Sequence, residues 1–163
     1  MGSPQDSAQG GVAARLAAAG IEVPPPPAPV AAYVPAVRDG DRVWTAGQLP
    51  FVAGILPVTG KVGTGEGCVS ADVAYGLART CALNALGAAL TVVDDLKRLV
   101  RVIKMVVYVA SAPDFFGQAA VANGASELIA VAFTPGHHAR STVGVNALPL
   151  DASVEVELVL AVR

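Results

Sequence analysis

The run from Leu99 to Ala110 constrains the fold of this chain more than any other stretch. Its large side chains are mostly β-branched, so it favours a strand over a helix. Polar residues do not alternate regularly with apolar ones, as they do in a strand with one face in water. We therefore predict a strand that is buried on both faces. Its large side chains are Val100, Val102, Ile103, Met105, Val106, Val107, Tyr108 and Val109.

The patterns around this strand predict an α+β domain. Asp39-Gly40 is typical of a tight hairpin turn, and Ser70 is a suitable cap for a long helix. The predicted strands are 33–37, 42–46, 99–110, 140–147 and 153–162, and the predicted helices are 71–91 and 114–131. One mixed sheet with two helices on one face is the simplest arrangement of this order. The other face is then expected to lie against neighbouring subunits.

The first thirty residues are predicted to be additions to this domain. Residues 1–11 lack the basic and apolar regions of a secretory signal, so they indicate a disordered leader. Residues 12–19 favour a short peripheral helix that Gly20 ends. The prolines from 24 to 29 favour an extended arm. We predict a single domain over 12–163, with the helix and the Pro-rich arm in 12–29.

The composition limits the possible partners. Only 15% of the residues are charged and 53% are hydrophobic, which favours an apolar subunit interface and closed cyclic association. The net charge of −2 makes nucleic acid an improbable main partner. Charges such as Lys104 interrupt the apolar stretches, so no membrane span is predicted. We expect a cytoplasmic protein in which Cys68 and Cys81 are free thiols.

Motifs near both ends of the domain resemble those of the Rid (RidA-like) family, formerly named for an L-PSP endoribonuclease. The similarity covers 29–163, with Asn123 in register. The motifs are Tyr33-Val34-Pro35, Thr45-Ala46-Gly47-Gln48-Leu49-Pro50, Ala139-Arg140-Ser141-Thr142-Val143, Leu148-Pro149 and Val154-Glu155-Val156-Glu157.

This resemblance implies a chorismate-mutase-like fold and a closed homotrimer with a cleft at each subunit boundary. Family members hydrolyse 2-imino acids, or their enamine forms, to 2-keto acids and ammonia without a metal or organic cofactor. By position, Arg140 binds the carboxylate and Glu155 holds the water. The implied substrate-binding residues are Tyr33, Gly47, Asn123 and Thr142. Ala46 stands where serine is usual, and Thr142 stands where cysteine is common, so the preferred imine need not be the best-known one.

The residue types fit this chemistry. A guanidinium binds a carboxylate through two parallel hydrogen bonds, and Glu155 can take a proton from water. Glu157 has the same strand parity, so only the family register selects Glu155. His138 is a candidate to line the cleft beside Arg140, but His137-His138 lacks further ligands at a familiar metal spacing. Without the resemblance, Arg140 and Asn123 are ordinary surface residues and Tyr33 is an interface aromatic.

The leading hypothesis from sequence is therefore an imine or enamine deaminase acting on small 2-imino acids. The main alternative is a trimer of the same fold that binds small carboxylates or protein partners without turnover. RNA cleavage is a weaker alternative, because the sequence predicts no basic face.

Overall fold

The computed structural model describes residues 11–25 and 32–163, and its five strands form one mixed sheet. The strands are β1 (Ala36–Asp39), β2 (Arg42–Thr45), β3 (Leu99–Ala110), β4 (Ala139–Val145) and β5 (Val154–Val162), and the helices are α1 (Val12–Ala18), α2 (Ala71–Ala89) and α3 (Gln118–Ala132). The order across the sheet is β1-β2-β5-β3-β4, and only β3 and β4 run parallel. This confirms the α+β prediction. The predicted leader up to residue 10 and the arm over 26–31 lie outside the described residues.

Helices α2 and α3 cover one face of the sheet, and the core lies between them and the strands. The alternation predicted for β5 is confirmed, because Val154 and Val156 are buried while Glu155 and Glu157 are half-buried on the other face. The two helices approach closely at Gly124, where an added Cβ would lie 2.0 Å from the Tyr75 carbonyl oxygen. This approach holds the first half of α3 above the sheet edge formed by β4.

Helix α2 begins where the sequence predicted, whereas helix α3 begins later than predicted. Ser70 caps α2 as expected, because its Oγ accepts a hydrogen bond from the Val73 amide at 3.3 Å. Helix α3 begins at Gln118 rather than near residue 114. Gln118 Nε2 donates to the Phe115 carbonyl at 2.6 Å, and Gly117, which disfavours a helix interior, precedes the first turn. Ala119, in the first turn of α3, is exposed.

Two predictions for the N-terminal part were wrong. Strand β1 begins at Ala36 rather than Tyr33, because Pro35 has no amide hydrogen to donate to the ladder. Tyr33 therefore precedes the sheet. Helix α1 is not peripheral, since Val12 and Leu16 are each only 2% exposed within the core, and Arg15 Nε donates to the Ala132 carbonyl at 2.9 Å.

The second face of the sheet is open in a single chain. Trp44 is 53% exposed there, Val159 opposite it is half-buried, and Val106 and Tyr108 on β3 are also half-buried. Within the described chain, β3 is therefore buried on the helix-covered face and only partly buried on the other. Covering by neighbouring subunits, which the sequence led us to expect, remains a prediction.

Candidate functional site

Arg140 lies on β4 at the edge of the sheet and points toward α3. Its register partner on β3 is Met105, a residue of the helix-covered face. Its Nη1 donates to Asn123 Oδ1 at 2.9 Å and to Ser126 Oγ at 3.0 Å, and its Nη2 contacts the Ala119 carbonyl at 3.4 Å. Among the described residues it makes no ion pair. Neutral acceptors thus orient a half-buried guanidinium that lacks a counter-ion.

The guanidinium borders a groove of about 450 Å³ between α3 and the segment before β4. His138 lines this groove, with Nε2 3.1 Å from Ser126 Oγ and Nδ1 3.0 Å from the Gly136 carbonyl. Ser126 therefore links Arg140 to the imidazole, although the sequence did not single it out. Helical spacing could have found it, because Asn123 and Ser126 are three residues apart and share one face of α3.

Thr142 lies two residues beyond Arg140 and therefore faces the same side of β4. Its Oγ1 is the one buried side-chain oxygen or nitrogen in the described part of the chain that has no hydrogen-bond partner. A buried hydroxyl without a partner costs free energy that an incoming ligand or water can offset. Thr142 does not line the groove, so the substrate-binding role that the resemblance implies remains a prediction.

Glu155 occupies the opposite face of the sheet, where Tyr108 is its register partner. Gly47 lies against it so closely that an added Cβ would be 1.7 Å from Glu155 Oε1. The ladder bonds between Gln48 and Val156, at 2.8 and 3.0 Å, hold the two segments together. Burial raises the pKa of Glu155, and the neighbouring Glu157 carboxylate raises it further.

The two glutamates of β5 differ in their partners. Tyr108 donates its hydroxyl to Glu157 Oε1 at 3.3 Å, whereas the Glu155 carboxylate makes no hydrogen bond with any described residue. The pKa of Tyr108 is raised by burial and then by the Glu157 charge, which favours the protonated, donating hydroxyl. The structure thus distinguishes two residues that strand periodicity could not separate.

One chain brings the predicted site residues together in two separate groups. Arg140, Asn123 and His138 form the first group, with Thr142 beside them. Glu155 and Gly47 form the second group. Because Arg140 faces the helices and Glu155 faces the open side, the two groups do not meet within one chain. Tyr33 is 55% exposed, and it makes no hydrogen bond within the described part of the chain.

A sequence profile described as endoribonuclease L-PSP matches residues 25–162. The chain belongs to this family, which is the Rid family. Protein TCP17 of Trypanosoma cruzi is 42% identical over 154 residues, which are 92% of this chain and 93% of TCP17. The crystal structure of Atu1372 from Agrobacterium tumefaciens is 38% identical with a TM-score of 0.82, covering 93% of this chain and 92% of Atu1372. E. coli TdcF, solved with bound serine, is 26% identical with a TM-score of 0.60, over 85% of this chain and 93% of TdcF.

Other features of this Rid-family chain concern groups outside the two clusters. Cys68 and Cys81 are free thiols, as predicted. Burial raises the pKa of Cys81 well above its ordinary value, so it stays a neutral core residue. Over residues 11–25 and 32–163, no three His, Cys, Asp or Glu side chains are grouped to hold a metal ion. Within the same ranges, every helix is too short or too polar to cross a membrane.

Proposed function

We propose that this chain hydrolyses 2-imino acids and their enamine forms to 2-keto acids and ammonia, in clefts that two subunits of a homotrimer share. The observation that carries the proposal is the Arg140 guanidinium, which neutral acceptors orient at the rim of a groove and which has no ion pair among the described residues. Such a cation is suited to binding a small carboxylate.

The first step is binding. The donors of Arg140 that Asn123 and Ser126 do not use can grip a carboxylate at two points, and the positive charge makes the adjacent C2 more electrophilic. Thr142 supplies a buried hydroxyl that has no hydrogen-bond partner among the described residues. The serine in TdcF supports this step, because serine carries a carboxylate next to a nitrogen-bearing carbon, as a 2-imino acid does.

The second step is attack by water. The water oxygen bonds to C2, the Glu155 carboxylate takes a water proton, and the imine nitrogen gains a proton. The C2–N bond then breaks as the proton of the C2 hydroxyl passes to the nitrogen, so that ammonia and a 2-keto acid leave. Burial and the Glu157 charge raise the Glu155 pKa, which makes it a stronger base than an exposed glutamate.

The third element of the proposal is the homotrimer. Glu155 and Arg140 face opposite sides of one sheet, so the water-holding group must come from a second subunit if both act on one ligand. The open face, with Trp44 and Val159, offers the apolar surface for such an assembly. Closed cyclic association pairs each Arg140 with the Glu155 of a neighbour.

The test uses imines that an amino-acid oxidase generates in the presence of the protein. We expect faster imine decay and matching ammonia release, with no added metal. Binding of 2-keto acids without faster decay would favour the non-catalytic alternative. Degradation of RNA without imine hydrolysis would favour the activity in the older family name, although the net charge of −2 gives little attraction for phosphates.

A further inference from the structure

The groove beside Arg140 contains a carboxylate that the proposed deamination does not use. Glu127 lies four residues after Asn123 on α3, so the two side chains share one face and are about 6 Å apart along the helix axis. Arg140 is bound to Asn123. The groove therefore has a positive charge at one end and a negative charge one helical turn away.

The described residues fix the position of this carboxylate and include no ion-pair partner for it. The Tyr75 hydroxyl on α2 donates to Glu127 Oε2, and this hydrogen bond raises the pKa of Tyr75. Among the described residues, Glu127 makes no ion pair, and its Oε1 makes no hydrogen bond. The close packing at Gly124 holds Tyr75 next to this part of α3. One carboxylate oxygen is thus oriented and the other is free.

The groove is polar beside Arg140, where Ser126 and His138 bond to each other, and Ala130 lines it beyond Glu127 on α3. A ligand whose carboxylate binds Arg140 would extend its side chain along α3 toward Glu127. A neutral aliphatic chain would leave the Glu127 carboxylate without a partner there.

We infer that Glu127, positioned by Tyr75, selects 2-imino acids that carry a positively charged distal group. This inference rests on the proposed deamination and names its substrate class. A guanidinium or ammonium at the end of the substrate can bind the free oxygen of Glu127, whereas a distal carboxylate is repelled.

The test compares two substrates that differ mainly in charge, the 2-imino acids that an oxidase forms from arginine and from citrulline. Their side chains have nearly the same shape, but the citrulline urea is neutral. We expect kcat/KM to favour the arginine imine about fivefold, which corresponds to a partly exposed ion pair. This preference should decrease as the salt concentration rises.

The variants separate selectivity from turnover. Glu127→Gln should remove the preference, because it keeps the shape and loses the charge. Tyr75→Phe should weaken the preference by freeing the carboxylate to move. Glu66→Gln, an exposed glutamate outside the groove, is the matched control and should keep the wild-type ratio. Calorimetry with the two corresponding 2-keto acids measures the same preference without turnover.

The outcomes distinguish failure of the inference from failure of the proposed function. If both imines are hydrolysed at a ratio that Glu127→Gln does not alter, the inference is wrong and the deaminase proposal stands. If neither imine decays faster but the keto acids show the Glu127-dependent preference, the groove selects charge in a non-catalytic protein. If neither imine decays faster and neither keto acid binds, both proposals fail.

Discussion

The two faces of the sheet differ in what a single chain completes. On the helix-covered face, Arg140 has three acceptors within 3.4 Å and a groove beside it. On the open face, Glu155 makes no hydrogen bond with the described residues, is close to a second carboxylate and shares the face with exposed apolar side chains such as Trp44. Folding of one chain orients the Arg140 guanidinium, whereas the Glu155 carboxylate has no hydrogen-bond partner among the described residues.

This difference explains why the two predicted catalytic residues are so far from each other in the described chain. Residues that act on one substrate must lie within about 3 Å of its reacting atoms. Strand parity separates Arg140 and Glu155 by the thickness of the sheet, and no local rearrangement changes parity. The two residues can act on one substrate only if Arg140 of one subunit lies next to Glu155 of another.

The largest expected effect is the loss of Arg140. Arg140→Ala should lower imine hydrolysis by at least about 100-fold and weaken 2-keto acid binding, because two charge-assisted hydrogen bonds disappear. Arg140→Lys should restore little, since an ammonium lacks the planar fork. Imine decay and calorimetry measure these changes, with exposed Arg38→Ala as the control. Unchanged keto-acid affinity in a folded Arg140→Ala protein would show that Arg140 does not bind the ligand carboxylate.

The next effect concerns the two glutamates of β5. Glu155→Gln should slow turnover about 100-fold while keto-acid binding is nearly kept, because the amide retains the shape but cannot take a proton. Glu157→Gln should have a much smaller effect, since Glu157 already accepts a hydrogen bond from Tyr108 and lies two residues farther along β5 than Glu155. If Glu157→Gln proved to be the damaging change, the assignment of roles along β5 would be wrong.

A smaller loss of turnover is expected from a substitution that keeps Glu155 but moves its carboxylate. The Cβ of Gly47→Ala would overlap Glu155 Oε1, a flexible end that can swing away, so turnover should fall about tenfold. The free energy of unfolding should change by less than about 1 kcal/mol, because Gly47 does not have a positive φ. Gly76→Ala, which meets no atom within 4 Å, is the matched control. Wild-type turnover in Gly47→Ala would show that the position of Glu155 is unimportant.

The smallest expected effect is on stability and depends on pH. Folding raises the pKa of Glu155, so this carboxyl ionises at a lower pH in the unfolded chain than in the folded protein. The free energy of unfolding of the wild type therefore falls as pH rises from the unfolded-state pKa through the folded-state pKa. Glu155→Gln should therefore unfold at a higher denaturant concentration than the wild type at pH 7, and the difference should vanish below the ordinary glutamate pKa. The comparison requires equal subunit concentrations. A less stable Glu155→Gln at pH 7 would contradict the assigned burial and repulsion.

The sequence predicted the elements that local patterns specify. The β5 alternation, the Ser70 cap and the sheet-and-helix arrangement all follow from spacing of two or 3.6 residues. The start of α3 was misplaced because a side-chain bond from Gln118 to the Phe115 carbonyl competes with the helical pattern. The core position of α1 was missed because its two buried residues pack against a distant part of the chain.

The candidate site was only partly predictable, because sequence motifs identify residues but not the contacts between distant elements. The family motifs pointed to Arg140, Asn123 and Glu155, but no periodicity shows that Ser126 bridges Arg140 and His138 across two elements. Helical spacing from Asn123 could have indicated both Ser126 and Glu127. The separation of Arg140 from Glu155 depends on the parallel pairing of β3 with β4, which is a property of the fold rather than of either motif.

The central claim is that each site joins Arg140 of one subunit to Glu155 of another, and mixing inactive variants tests it directly. The Arg140→Ala and Glu155→Gln proteins are each expected to lose about 100-fold or more in activity when assayed alone. After joint dissociation and reassembly, random cyclic trimers should contain about one intact site in four. The account predicts recovery of about a quarter of wild-type activity, with light scattering reporting a trimer. Mixtures that reassemble fully and stay inactive, or a stable monomer at micromolar concentration, would contradict it.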